Sequence, residues 1–189
     1  MSESVHWVPF ESNPEVMNKF LWAIGVSEDY RIVDVMGLDE ELLPFIDGPV
    51  LSLILLYPVN EHNESLTSLS SYLLFSLKTF LDSTRHLSHE ERGRLLESNE
   101  EIANAHHIYA KEGQTSAPAA DSEVDHHFVA LVQRNGYLFV TDGRGSRALN
   151  FGKTSDETFL SDAARVCRQV MARDPNNLVF NVIALSGRS

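Results

Sequence analysis

The dipeptide Asn135-Gly136 separates two stretches rich in apolar residues, 124–134 and 137–142. Both central positions of a type I′ turn need positive φ, and Asn-Gly adopts that conformation at low steric cost. The sequence therefore predicts an antiparallel hairpin with a two-residue loop, and a loop of this length also fixes the register of the two strands.

That register brings two polar side chains to one end of an otherwise apolar sheet face. Asp142 falls opposite Val129, and His127 becomes its diagonal neighbour on the same face, with Cα atoms about 7–8 Å apart. A carboxylate that accepts from one imidazole nitrogen fixes the tautomer and leaves the other nitrogen as a base. The pair is therefore either two thirds of a nucleophile–base–orienter triad or a buried His–Asp pair without chemistry.

Capping patterns and apolar spacing predict the other elements. Capping-box patterns start at Ser88 and at Thr154, while Asn13 precedes a proline and an acidic residue as an N-cap does. Four helices are predicted: 13–25, 66–82, one that starts at Ser88, and one that runs from Thr154 to Arg173. The predicted buried strands are 51–57 and 178–185. Helices interleaved with an antiparallel pair favour a single α+β domain, 1–189, on a central sheet.

Cys167 is the single cysteine of the chain, which excludes a disulfide framework and a cysteine zinc cage. Its neighbours at helical spacing are apolar, so we expect a structural thiol with a raised pKa rather than a nucleophile. No serine lies in a G-x-S-x-G elbow. The histidine pairs 106–107 and 126–127 point apart on a helix or strand, so neither a metal site nor a cofactor is expected.

The net charge limits the classes of binding partner that we expect, since 27 acidic and 15 basic residues give a formal charge of −12. Nucleic acid is therefore not expected as a partner, whereas a basic protein or peptide is, unless the acidity serves only solubility. The longest apolar run, Val50–Tyr57, is too short to span a membrane. No secretory signal is visible in the first ten residues, so the expected location is the cytosol, with the nucleus as a second possibility.

Several motifs together resemble the ubiquitin carboxyl-terminal hydrolases, a family of small cysteine deubiquitinases. The resemblance covers about 1–60 and 74–189. The matching segments are Trp7–Val16, Val33–Asp39, Glu41–Leu43, Glu112–Thr115 with Ala117-Pro118, Val124–Leu131, Thr141–Arg144, and the tail from Thr154–Thr158 through Phe180–Ser186.

The resemblance implies a papain-like fold with a central antiparallel sheet flanked by helices, and a monomer that binds ubiquitin or a ubiquitin-like protein. It implies His127 as the catalytic base and Asp142 as its orienter in cleavage after the last glycine of ubiquitin. A crossover loop is implied at about 110–123, within which 113–122 also reads as an exposed loop. The implied ubiquitin-binding residues are Pro9, Phe10, Glu11, Asn13, Pro14, Glu112, Gly113, Gln114, Thr115, Phe180 and Asn181.

The chain departs from the family between Pro58 and Ser88. The family's nucleophilic cysteine and oxyanion glutamine belong there, on and before a central helix, but this interval contains neither residue type. We therefore predict a deletion of a few tens of residues around 60–75 that removes the cysteine-bearing helix and leaves a catalytically deficient chain. The alternatives are a non-catalytic ubiquitin-binding module and an unstable product of splicing or of a mis-joined gene model.

Overall fold

The computed structural model describes residues 7–58, 76–115, 126–143, 148–176 and 178–188. The chain divides into two compact units. The helical unit comprises Met1–Glu28 and Tyr72–Val124, and the sheet unit comprises Asp29–Ser71 and Asp125–Ser189. The single-domain interpretation is not tested by this division and stays a prediction.

The described part of the helical unit contains four α-helices, α1 (Pro14–Ala23), α2 (Ser76–Thr84), α3 (His89–Glu97) and α4 (Glu100–Tyr109). Asn13 caps α1 by accepting a hydrogen bond from the Glu15 amide. Ser88 and Glu91 form the predicted capping box of α3, with both reciprocal bonds present. Of the helix predicted over 66–82, residues 66–75 lie outside the described part of the chain.

The helical unit buries one stripe of each of three helices. Helix α4 packs against α1 and α2. The side chains buried there come from the apolar positions of these helices and from the residue that follows α1: Val16, Leu21, Ile24, Phe80 and Ile102. Each such side chain contributes about 1.5–3 kcal/mol through burial. Together they hold α1 against α4, after which the chain continues into residues 110–115.

The described part of the sheet unit contains six strands, β1 (Tyr30–Asp34), β2 (Val50–Pro58), β3 (His126–Arg134), β4 (Tyr137–Asp142), β5 (Leu149–Lys153) and β6 (Asn181–Gly187). Their order is β1-β6-β2-β3-β4-β5, with every pair antiparallel. The predicted hairpin is confirmed: Asn135 and Gly136 have φ of 52° and 78°, and Asp142 pairs with Val129.

The two faces of this sheet differ in how deeply they are buried. Helix α5 (Phe159–Met171) and the core face of the sheet form one buried cluster. The strand residues of that cluster are Leu53, Leu55, Tyr57, Val129, Leu131, Leu138, Val140, Val182 and Ala184. On the second face, Ile54, Leu56, Phe128, Val132 and Phe139 of β2, β3 and β4 are half-buried, whereas Ile183 of β6 and Ile32 of β1 are buried.

Two local predictions need correction. Helix α5 begins at Phe159, and the capping box expected at Thr154 does not form. Thr154 Oγ1 donates instead to Asp162, at 2.9 Å, and the Glu157 carboxylate accepts from Ser155 Oγ, at 2.7 Å. The strand expected at 178–185 lies at Asn181–Gly187, since its first apolar residues remain outside the sheet.

The α+β class predicted from the sequence is confirmed by these elements. In the part of the chain that the structure describes, no helix is both long and apolar enough to cross a bilayer.

Candidate active site and ubiquitin-contact segments

His127 and Asp142 meet at one end of the core face of the sheet. The hairpin register makes them diagonal neighbours, and His127 Nε2 lies 2.5 Å from Asp142 Oδ1. Asp142 is buried, with 1% of its side chain exposed, whereas the His127 side chain is 16% exposed. The carboxylate is therefore fixed in the core while the imidazole still reaches solvent.

The direction of this bond decides which imidazole nitrogen can act as a base. A carboxylate accepts, so the proton lies on Nε2 and the lone pair lies on Nδ1. Tyr57, opposite His127 on β2, packs edge-to-face on the imidazole with ring centroids 6.0 Å apart. The register makes this contact readable from the sequence once β2 and β3 are paired, but the sequence analysis did not pair them. The arrangement can take a proton from a nucleophile and stabilise the imidazolium that forms.

Cys167 lies in α5, and its side chain is fully buried in the core cluster. Burial in apolar surroundings raises the pKa of this thiol to about 12. At neutral pH the residue is therefore a thiol and not a thiolate, as the sequence predicted for a structural cysteine.

The helical unit brings together two of the three segments predicted to contact ubiquitin. The Glu11 carboxylate accepts hydrogen bonds from the Thr115 backbone amide, at 3.2 Å, and from Thr115 Oγ1, at 3.1 Å. Lys19 Nζ lies 3.2 Å from a carboxylate oxygen of Glu112 and 3.1 Å from one of Glu15. Both carboxylates raise the pKa of Lys19, and the hydrogen bond to Glu15 has the largest effect.

The third predicted segment belongs to the sheet unit. Phe180 precedes β6 and Asn181 begins it, and both are half-buried. Leu178, which lies just before them, is 90% exposed. As ubiquitin contacts, the residues of all three segments stay predictions.

An aromatic cluster in the helical unit was missed by the sequence analysis. The ring of His106, on α4, lies among those of Trp7, Phe10 and Phe20, with centroids 4.6, 5.1 and 5.8 Å away. Burial, with a smaller effect from His107, lowers the pKa of His106 to about 4. The cluster holds the N-terminal segment on α1 and α4, and the aromatic residues just before the Asn13 cap were the available signal.

A metal centre has no candidate among the described residues, where no three His, Cys, Asp or Glu side chains are placed to hold an ion. The described residues that carry chemistry in the sheet unit are the His127–Asp142 pair.

Comparison with known proteins identifies the family. The family model described as ubiquitin carboxyl-terminal hydrolase, family 1, matches residues 7–76 and 73–172. The chain belongs to the ubiquitin carboxyl-terminal hydrolase family. Its relatives include a ubiquitin carboxyl-terminal hydrolase of Drosophila melanogaster, 39% identical over 95% of this chain and 97% of that protein. Another is the human ubiquitin carboxyl-terminal hydrolase isozyme L1, 32% identical over 94% of this chain and 96% of that protein.

Solved structures of the family share this fold. The UCH37 catalytic domain of Trichinella spiralis, bound to ubiquitin vinyl methyl ester, superposes with a TM-score of 0.77 at 18% identity. The match covers 96% of this chain and 95% of that domain. The α+β fold predicted from the family resemblance is therefore confirmed.

Proposed function

We propose that this chain is a ubiquitin-binding member of the hydrolase family that does not cleave ubiquitin adducts by the covalent cysteine route. One observation carries the proposal: the only cysteine is Cys167, whose fully buried thiol has a pKa raised to about 12. A triad acts as a unit, so His127 and Asp142 without a thiolate preserve little catalysis.

The alignments support the absence of a segment that the relatives possess. The alignment with ubiquitin carboxyl-terminal hydrolase 3 of Arabidopsis thaliana runs over 230 positions and takes in all 189 residues of this chain, so 41 positions face a gap here. The family model also matches in two pieces, which meet at residues 73–76. Both observations agree with a deletion around 60–75 that removes the nucleophile and the oxyanion glutamine.

The second face of the sheet supports the same interpretation. Large apolar side chains such as Leu56, Phe128 and Phe139 are only half-buried there. A strand residue that points into a core is normally covered by a second layer, because a domain packs its layers around one core. Partial cover over β2, β3 and β4, beside the buried Ile183 of β6, agrees with the loss of a helix that packed on this part of the face.

Binding is favoured over an unstable, non-functional product by the packing of the sheet unit. Its core face forms one closed cluster with α5, so much of the apolar surface that stabilises the family fold remains buried. The formal charge of −12 suits a basic partner surface. We infer a monomer that binds ubiquitin in the cytosol or nucleus, where a single unpaired cysteine is ordinary.

The first test combines a reactive probe with a binding measurement. Ubiquitin vinyl methyl ester carries an electrophile at the ubiquitin C-terminus, to which a reactive thiolate adds. We expect no covalent adduct by mass spectrometry, while labelled ubiquitin titrated with the chain gives localised NMR shifts that include its C-terminal tail. The Drosophila relative serves as the control for the probe.

Either half of this test can contradict the proposal. An adduct that forms on the wild-type chain and disappears in Cys167→Ser would show that the buried thiol reacts. Absence of shifts at high concentration would exclude the binding module and favour the non-functional product.

A second test restores the segment. We expect that inserting the corresponding segment of the Drosophila relative between Pro58 and Ser76 makes the chain react with the probe and hydrolyse ubiquitin amides. His127→Ala in the restored chain should abolish hydrolysis, because the base is lost. A restored chain that folds but stays inactive would contradict the idea that the missing segment is what separates this chain from its active relatives.

A further inference from the structure

The Glu11 carboxylate connects two segments that lie 104 residues apart in the chain. A single oxygen, Oε2, accepts both the Thr115 amide and the Thr115 hydroxyl, at 3.2 and 3.1 Å. A hydrogen bond from a backbone amide to a carboxylate is charge-assisted and fixes the main chain, not only a side chain. Glu11 therefore sets the path of the backbone where it leaves the end of α4.

The lack of a side chain at Gly113 leaves room for the Glu11 carboxylate. A Cβ added at residue 113 would lie 2.1 Å from Glu11 Oε2, closer than non-bonded atoms approach, and 3.1 Å from its carboxyl carbon, which is a tight contact. Gly113 is not among the glycines with positive φ, so the backbone itself accepts a side chain there. A side chain at residue 113 would therefore displace the Glu11 carboxylate from the position in which it accepts from Thr115.

A second contact with the same segment comes from Lys19 on α1, which pairs with Glu112. Its ammonium group and both of its carboxylate partners are substantially exposed, and ion pairs of this kind contribute little. The Glu11–Thr115 bonds are exposed as well, but one of them reaches a backbone amide, so Glu11 rather than Lys19 makes the contact that fixes the main chain.

We propose that Glu11 is a positioning residue for ubiquitin binding, which holds residues 112–115 against the N-terminal segment so that the two present one preformed surface. The inference rests on the proposed function, and it assigns Glu11 a role that needs no contact with ubiquitin. Ordering such a loop before binding lowers the entropic cost of association, so loss of Glu11 weakens affinity through the loop.

A double-mutant cycle on ubiquitin affinity tests this role, with Glu11→Ala, Gly113→Ala and the double variant measured by NMR titration. We expect each single variant to weaken binding about tenfold and the double variant to bind no worse than Glu11→Ala. Of the three heavy atoms nearest to a Cβ at residue 113, only the Cβ at residue 11, at 3.3 Å, remains in Glu11→Ala. Glu11→Gln keeps one acceptor oxygen and should lie between wild type and Glu11→Ala.

Two variants of the same unit are matched controls. Glu15→Ala removes an exposed carboxylate bonded to Lys19, and Gly93→Ala adds a Cβ that meets no heavy atom within 4 Å. Both should bind ubiquitin as the wild type does. Strictly additive effects of Glu11→Ala and Gly113→Ala, or equal losses in the controls, would overturn the inference.

Amide hydrogen exchange at Thr115 separates the contact from its consequence for binding. We expect exchange about tenfold faster in Glu11→Ala than in wild type, with no change in Glu15→Ala. If wild type binds ubiquitin and Glu11→Ala binds equally well, the inference is wrong and the proposed function stands. If wild type does not bind at all, the proposed function fails and the positioning role falls with it.

Discussion

His127 in the sheet unit and His106 in the helical unit are both partly buried histidines that contact aromatic rings, yet their surroundings assign them different tasks. His127 donates to a carboxylate that is 1% exposed. His106 lies among three aromatic rings, and burial lowers its pKa to about 4. An imidazole beside a buried carboxylate can cycle a proton, whereas an imidazole kept neutral among rings serves as packing.

The largest expected effect on stability concerns the hydrogen bond between His127 and Asp142. We expect His127→Ala to destabilise the chain by about 3–5 kcal/mol, because it removes the imidazole from a buried carboxylate. The double variant His127→Ala/Asp142→Ala should lose less than the sum of the two single variants, since both remove the same interaction. Urea unfolding monitored by circular dichroism measures each free energy.

The neighbouring residue His126 provides the matched control. Its Nε2 atom is buried and has no hydrogen-bond partner within the described part of the chain. We expect His126→Ala to cost about 1 kcal/mol or less. Equal losses for the two histidines would mean that the bond to Asp142 contributes nothing to stability, and the contrast between His127 and a packing histidine would disappear.

The next effect is a pH dependence that belongs to His106. Its pKa is about 6.5 in an unfolded chain and about 4 in the folded state, so between these values the unfolded state binds more protons. The stability of the helical unit should therefore fall as the pH drops from 6.5 to about 4, by about 1–2 kcal/mol once solvent screening of a part-exposed ring is allowed for.

The variant His106→Phe keeps an aromatic ring in the cluster but cannot take up a proton. Its stability relative to wild type should improve as the pH falls through this window, measured as the difference in urea midpoints at pH 7 and pH 4.5. His107→Gln, on the exposed side of α4, is the control. Its stability relative to wild type should change much less between pH 7 and pH 4.5 than that of His106→Phe. A constant difference between His106→Phe and wild type at both pH values would contradict the assignment.

The two histidine sites also differ in how much of them the sequence could predict. The His127–Asp142 pair followed from the turn chemistry of Asn135-Gly136 and from strand alternation, both of which are local rules. The aromatic cluster did not follow, because residues 7 and 106 are brought together by the packing of helices, which sequence spacing does not encode. The Glu11–Thr115 contact was missed for the same reason.

Elements whose boundaries depend on competing hydrogen bonds were also placed wrongly. Reciprocal bonds form one residue later than the capping box expected at Thr154, since Ser155 Oγ accepts from the Thr158 amide and Thr158 Oγ1 accepts from the Ser155 amide. The order of the six strands was beyond local rules as well, since β6 pairs with β1 and β2 across most of the chain. The family resemblance supplied the fold type that local patterns left open.

The smallest predicted effect compares the backbones of the two units at one glycine each. Gly136 has a φ of 78°, which a residue with a Cβ adopts only with strain, so Gly136→Ala should destabilise the hairpin by about 1 kcal/mol. Gly93 lies inside α3, and a Cβ there meets nothing within 4 Å. Gly93→Ala should therefore stabilise the chain by about 0.5–1 kcal/mol through helix propensity. Thermal unfolding of both variants checks the signs, and the sign for Gly136 matters most, because the turn at Gly136 sets the register that places His127 beside Asp142. A neutral Gly136→Ala would mean that the pairing of β3 and β4, and not the turn, holds that register.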